Sequence, residues 1–296
     1  MLGVVNLDKP VGPTSHDMVG LLRRLSGTRR IGHAGTLDPL ASGVLPILVG
    51  PATRFSEELT GGRKRYDAVI RLGATSPTDD SEGPITPTGA PTPDEAAVRE
   101  ALMGFVGTFE QRPPAFSARK QGGRTAHRAA RAGAPIELPS RRVTVDAIEV
   151  LELGSGDGTL DVRIDLRCGA GTYVRSIARD LGHSLGSGGY LAALRRTEAA
   201  GLRAVDAITP DRLEILAADG RLHQAIIPVG ELLPLPHVVL GADEATRFAN
   251  GSAQELTDGA ADGRVAVFEE TALVGIGVVS GRTLQPEKVL PREGAP

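Results

Sequence analysis

The sequence predicts a mixed α/β (α+β) fold, a β-sheet with flanking helices followed by a small β-rich domain, and three observations predict it. Between Gly3 and Arg195, short apolar runs of strand length alternate with stretches that carry helix caps and helical spacing. Gly and Pro, 38 and 21 of 296 residues, punctuate those runs as loops. From Pro234 onward the pattern changes to short apolar runs such as Val265 to Phe268 and Leu273 to Val279. The length fits about two domains, and the change of pattern places the division between 1–230 and 231–296.

The elements follow in order. Gly3 to Leu7 reads as a strand, and Lys9-Pro10-Val11-Gly12-Pro13 as a turn. Thr14 or Ser15 then caps a helix with Met18, Val19, Leu22 and Leu25 on one face. Ile31 to Gly43 has no period and reads as a loop. Val44 to Val49 is a buried strand, Ala52 to Leu59 a helix, and Lys64 to Leu72 a strand with Tyr66, Ala68 and Ile70 on one face. Residues 74–92 form an acidic Thr/Pro/Gly connection, expected to be mobile. It ends at Thr92-Pro93-Asp94-Glu95, a capping box for a helix to about Phe105. Val143 to Leu153 and Leu160 to Arg167 make a hairpin about the Gly-rich turn 154–158. Gly171 to Leu185 is a helix closed by Gly186, and Tyr190 to Arg195 a shorter helix.

Composition narrows the function. No window approaches the roughly 18 apolar residues of a membrane-spanning helix, and the N-terminus lacks a basic signal region. Cys168 is the only cysteine, which excludes internal disulfides and cysteine-based metal clusters. A cytoplasmic protein without metal or organic cofactor is expected. Net charge is -3, but from Arg112 to Arg142 eight Lys/Arg face one acid, Glu137. That block, within a Gly-containing segment at about 111–140 with a short helix near Thr125 to Arg131, has the character of a phosphate-binding surface.

The segment Gly32-His33-Ala34-Gly35-Thr36-Leu37-Asp38-Pro39-Leu40-Ala41-Ser42-Gly43 presents one carboxylate between glycines that permit close backbone approach. On spacing alone Asp38 reads first as a turn residue before proline. The stretch resembles the catalytic loop of pseudouridine synthases, and with its preceding His it resembles the bacterial TruB family. Further family motifs occur in order: Lys9-Pro10, Lys64-Arg65-Tyr66, Gly171-Thr172-Tyr173-Val174-Arg175-Ser176 with Ala178-Arg179-Asp180-Leu181-Gly182, and Leu194-Arg195-Arg196-Thr197. Gln111 to Gly133 is similar to the family's thumb insertion, with Phe116 where the family usually has Tyr and His127 in place of a second aromatic. The matches span residues 3 to about 203.

The resemblance implies a catalytic domain on a mixed, largely antiparallel sheet, and a PUA-like RNA-binding domain at the C-terminus. It implies isomerisation of uridine 55 in the T loop of tRNA, with the T stem-loop gripped by the thumb; the oligomeric state is left open, with a monomer as the default. Asp38 would be the catalytic carboxylate, Arg175 its ion-pair partner and Tyr66 the aromatic that stacks on uracil. Leu194 would pack on the other side of the base. His33 would contact the flipped region, and Tyr173, Arg119, Lys120 and Arg124 the RNA. Lys9 would support the Asp38 loop or a phosphate. One carboxylate suffices because the detached base never leaves, so the second acid of a glycoside hydrolase has no task. An RNA-binding or RNA-folding protein with an idle site is the alternative, and a nucleoside hydrolase a weaker one.

Overall fold

The computed structural model describes residues 1–116, 120–121, 124–125, 138–156, 158–257 and 259–291, with backbone alone for 120–121 and 124–125. Strand β1 (Gly3–Lys9) leads into helix α1 (Ser15–Ser26). Thr14 and Asp17 cap α1 reciprocally, and Gly27 ends it in the left-handed region. The helix buries Met18, Val19 and Leu22 of the predicted face and adds Leu21, while Leu25 is only partly buried. The expected loop of 31–43 proves shorter. Ile31–His33 forms β2 and Ala41–Val49 forms β3, which pair with each other and leave 34–40 as the free loop. Residues Gly50–Phe55 turn as a 3-10 helix into α2 (Ser56–Thr60), where one helix was expected.

Strand β4 (Lys64–Leu72) has the predicted limits and buries Tyr66, Ala68, Ile70 and Leu72 on one face. The acidic connection after it is held down, contrary to expectation. It contains the paired β5 (Ala74–Thr75) and β6 (Thr86–Pro87), Asp79 accepts from Leu191 N–H at 3.0 Å, and Asp80 is 1% exposed. Helix α3 (Glu95–Met103) starts two residues later than the capping-box motif suggests, because Asp94 rather than Thr92 takes the cap and accepts from Ala97 N–H. Strand β7 (Gly107–Gln111) precedes the basic segment, of which β8 (Lys120–Gln121) and β9 (Arg124–Thr125) are described as a pair. Arg119, His127 and the helix expected at 125–131 lie outside the described residues, as do the side chains of Lys120 and Arg124.

The hairpin β10 (Arg141–Gly156) and β11 (Thr159–Cys168) forms as predicted. Helix α4 (Val174–Ser184) starts three residues inside its predicted limits and is closed near Gly186. The second expected helix, at Tyr190 to Arg195, is instead strand β12 (Gly189–Ala199). A short apolar run without alternation fits a buried helix turn or a buried strand equally. Pairing decides: β12 lies between β3 and β4 and bonds to both. Strand β13 (Leu202–Arg203) and helix α5 (Pro210–Ala218) complete this part, α5 packing on α1.

Among the described residues the main sheet has nine strands, in the order β1-β3-β12-β4-β11-β10-β7, with β2 on β3 and β13 on β12. All its pairings are antiparallel except β12 with β3. That register sets Leu194 beside Ala68 and Arg196 beside Tyr66 on one face of the sheet. Gly43, at φ 99°, lets β3 approach Arg196, whose carbonyl oxygen would lie 2.2 Å from any Cβ there. The core on this face runs through Ala68, Ile70, Leu166, Ile177 and Leu181.

A second sheet follows, made of β14 (His237–Leu240), β15 (Gln254–Glu255), β16 (Gly263–Glu269), β17 (Ala272–Ser280) and β18 (Thr283–Val289), in the order β14-β16-β17-β18-β15. Helix α6 (Ala242–Ala249) buries Phe248 against it. The two sheets share a core in which Val4, Leu48, Phe55 and Leu59 meet Val229, Phe268, Ile276 and Leu290. No helix among the described residues is long and apolar enough to cross a membrane.

Candidate active site

The loop 34–40 carries Asp38 and is bonded on three sides. Ser15, at the start of α1, accepts from Leu37 N–H at 2.8 Å and donates to Leu37 C=O at 2.9 Å. Arg196, 1% exposed, donates to the carbonyls of Gly35, Thr36 and Val44, at 3.0, 3.4 and 2.7 Å. Lys9 is fully buried and donates to the carbonyls of Pro10, Pro13 and Pro39. Of the two roles expected for Lys9, the bond to Pro39 C=O fits support of the Asp38 loop, and the enclosing carbonyls leave no room for a phosphate; burial holds its pKa down at about 8.

Arg175 stands in the first turn of α4, where the helix dipole disfavours a cation. Anions and carbonyls offset that. Its guanidinium lies 2.9 Å from Asp38 and 3.2 Å from Asp80, and it also donates to Thr78 C=O and Phe116 C=O. Arg175 and Asp80 are sealed, with side chains 5% and 1% exposed, whereas Asp38 keeps 36% of its side-chain surface open to the cavity above it. One cation thus serves two carboxylates. Burial pushes the Asp38 carboxyl above the usual carboxylate range, Arg175 pulls it down and Asp80 adds to the push, with a raised pKa as the outcome.

The cavity holds about 340 Å³ and is lined by Asp38, Lys64, Tyr66, Tyr173, Arg175 and Leu194, together with Arg196 and the loop backbone. Of the residues singled out in the sequence, Asp38, Tyr66, Arg175, Leu194 and Tyr173 meet here. Tyr66 is 7% exposed, and burial raises its phenol pKa against a hydrogen bond and the charge of Arg196. His33 sits on β2, outside this lining, with its imidazole pKa lowered by burial, then by Arg196 and His16. Arg119 lies outside the described residues, and Lys120 and Arg124 are described in backbone only.

Three contributors had no role assigned from the sequence, although Lys64 and Arg196 stand in its motifs. Asp80 belonged to a connection read as mobile. Arg196 was visible in the Leu194-Arg195-Arg196-Thr197 motif, but its bonds cross 152 to 161 positions. Lys64 lines the cavity beside Tyr66 and donates to Thr60 C=O and Gly62 C=O; burial, then Arg196, lowers its pKa to about 8. Chemically the arrangement offers one accessible carboxylate, fixed by a cation, opposite an aromatic and an aliphatic wall. No group of three or more metal-ligating side chains occurs among the described residues.

Known proteins resemble the chain throughout. The family model described as TruB family pseudouridylate synthase (N terminal domain) matches residues 23–174. A tRNA pseudouridine synthase B from Burkholderia mallei (strain NCTC 10247) is 41% identical, covering 97% of this chain and 96% of the relative. One from Acaryochloris marina (strain MBIC 11017) is also 41% identical, covering 99% and 100%. Among solved structures, an H/ACA RNP bound to a substrate RNA containing 2'-deoxyuridine holds a chain with TM-score 0.74 and 27% identity, covering 99% of this chain and 87% of that one. A Cbf5-Nop10-Gar1 complex gives 0.73 and 28%, over 98% and 86%. With a family model over half its length and 41% identity across nearly all of it, the chain belongs to the TruB family of pseudouridylate synthases.

Proposed function

We propose that this protein is a tRNA pseudouridine synthase that isomerises uridine 55 of the T loop, with Asp38 as its catalytic carboxylate. The observation that carries this is the accessible Asp38 carboxylate, held 2.9 Å from a sealed Arg175 at the base of a cavity walled by Tyr66 and Leu194. Reaching it requires the uridine to leave its stack, at a cost of a few kcal/mol. Stacking on Tyr66, of the order of 1 to 3 kcal/mol for a base on an aromatic face, offsets part of that cost.

In the bound nucleotide the N1–C1′ bond breaks, the uracil turns between Tyr66 and Leu194, and a C5–C1′ bond forms. The C5 proton then leaves and N1 regains one, so the product is an isomer. Asp38 serves either as nucleophile at C1′ or as base at C2′, and both routes need it ionised. Arg175 keeps that charge available in a site where burial opposes it. Within this scheme 1–230 is the catalytic unit, 111–140 grips the T stem-loop, and 231–296 is a PUA-like RNA-binding unit.

Tritium release from C5-labelled uridine in a T-arm minihelix tests the reaction. Release at the T-loop position is expected. Release no greater than that of an Asp38→Asn control would instead identify an RNA binder with an idle site, and free uracil among the products would identify a hydrolase.

A further inference from the structure

We infer that Gln111 is a positioning residue for the reaction: from the foot of the basic segment it fixes the N-terminus of α4 and thereby the Arg175 guanidinium against Asp38. The inference rests on the roles given above to those two residues. Gln111 closes β7 and is 1% exposed. Its amide oxygen accepts from Tyr173 N–H at 2.8 Å and its amide nitrogen donates to Tyr173 C=O at 3.1 Å. Tyr173 is the N-cap of α4 and makes no side-chain cap bond of its own. In a capping box the cap N–H is satisfied from within the helix. Here a residue 62 positions earlier does it.

Two more bonds join the same stretch to the same helix turn. Ser176 Oγ donates to Arg112 C=O at 2.9 Å, and Arg175 itself donates to Phe116 C=O at 2.9 Å. Residues 111–116 are thus fastened to the turn that aims Arg175, and Gln111 makes the only two-bond contact that grips Tyr173 on both backbone groups among the described hydrogen bonds. A neutral, buried amide with both of its polar groups satisfied by one residue acts as a fixed spacer: it cannot turn without breaking both bonds. Tyr173 also lines the cavity, so a shift at its backbone moves a wall and the cation together.

The test is Gln111→Met, which keeps the volume and removes both bonds, in the full chain with a T-arm minihelix. Single-turnover isomerisation is expected to fall about ten- to a hundredfold, the effect of ~1 Å misplacement of a reacting group. Minihelix affinity should stay within about threefold, because the loss is confined to the reacting geometry. The acid limb of the pH–rate profile should move to higher pH. Asp38 faces Arg175 of α4, Lys9 of β1, Tyr66 of β4, and Asp80 and Glu82 of the acidic connection, and loosening Arg175 weakens the largest pull opposing burial.

A wild-type rate and profile in Gln111→Met would overturn the inference. So would a rate loss matched by an equal loss of affinity with the acid limb in place, which would make Gln111 an anchor of the RNA grip only. If that variant does not fold, Ser176→Ala decides: a smaller upward move of the limb supports the inference, and an unmoved limb refutes it. Failure of the wild-type enzyme to release tritium would refute the proposed reaction and is thereby separate from either result.

Discussion

Two ion clusters in this molecule set a carboxylate against burial with different numbers of cations beside it. In the cleft, the single guanidinium of Arg175 lies between two carboxylates, Asp38 and Asp80. At the junction of the sheets, the buried carboxylate of Glu58, its side chain 3% exposed, lies between Arg264 at 2.6 Å and Lys288 at 2.8 Å, which also pair with the more exposed Glu287 and Glu57. Burial pushes both carboxyls up. At Glu58 the hydrogen bonds from Lys288 and Arg264 outweigh it and leave the pKa below normal; at Asp38 one shared cation does not, and the pKa stays raised. The junction cluster therefore supports the fold, whereas the cleft holds a charge that the fold would shed. A carboxylate that must react is kept at a disadvantage, and one that must only bind is satisfied.

The largest expected effect of that difference is at Asp38. Asp38→Asn should reduce single-turnover isomerisation by about 10²- to 10⁴-fold or more, the usual contribution of a positioned acid or base. It should also leave thermal stability equal or higher, because Arg175 and Asp80 then balance one to one. A clear fall in melting temperature in this variant would break the contrast between the clusters. Arg175→Met comes next and differs in sign on stability. It strands two carboxylates beside each other, and removing one partner from a buried ion pair typically costs about 3 to 5 kcal/mol. Chemical denaturation should show this loss along with lost activity, and an unaltered midpoint would mean that Arg175 does not balance those charges.

How much of this the sequence disclosed depends on how far each interaction reaches along the chain. The cap of α1, the limits of β4 and the hairpin of β10 with β11 arise from neighbouring residues and were readable. Asp38, Tyr66, Arg175 and Leu194 were readable as motifs, and the sheet brings their side chains around one cavity. Asp80 was hidden because its meaning comes from an arginine 95 positions later; without that partner it is one acid in an acidic connection. Tyr190 to Arg195 failed as a helix because a run that does not alternate leaves helix and strand open, and only its pairing with β3 and β4 shows the strand. Thr92 lost the cap to Asp94 although both are good caps, a choice that local chemistry leaves open.

The junction gives the intermediate effects. Glu58→Gln keeps the shape and removes the charge from two cations, and should cost about 1 to 3 kcal/mol, the range for hydrogen bonds to charged groups. Isomerisation by the folded variant should stay at the wild-type rate, since Glu58 is outside the cavity lining. The pH response separates the clusters further. The folded pKa of Asp38 lies above its ordinary 3.8, so the ionised group costs stability above that raised value and the cost is relieved as pH falls. The folded pKa of Glu58 lies below its ordinary 4.5, so its support is complete above 4.5 and is lost as pH falls through the lower value. Acidification should accordingly remove activity first and the junction later. Measured together, kcat/KM and the circular dichroism signal should part in that order; coincident loss would mean the acid limb reports unfolding.

The smallest effect expected is at Lys288. Its second partner, Glu57, lies 3.3 Å away and is 87% exposed, so that bond adds little in water. Its bond to Glu58 is different in kind, but Arg264 remains at 2.6 Å when it is gone. Lys288→Met should therefore cost less than about 1 kcal/mol, within the range of exposed pairs, and much less than Arg175→Met. The two substitutions remove one cation each from clusters of similar chemistry. In the first a carboxylate keeps a cation; in the second neither carboxylate does. If denaturation showed equal losses, the number of cations touching the buried carboxylate would not be what distinguishes the two sites, and the raised pKa of Asp38 would need burial alone as its cause.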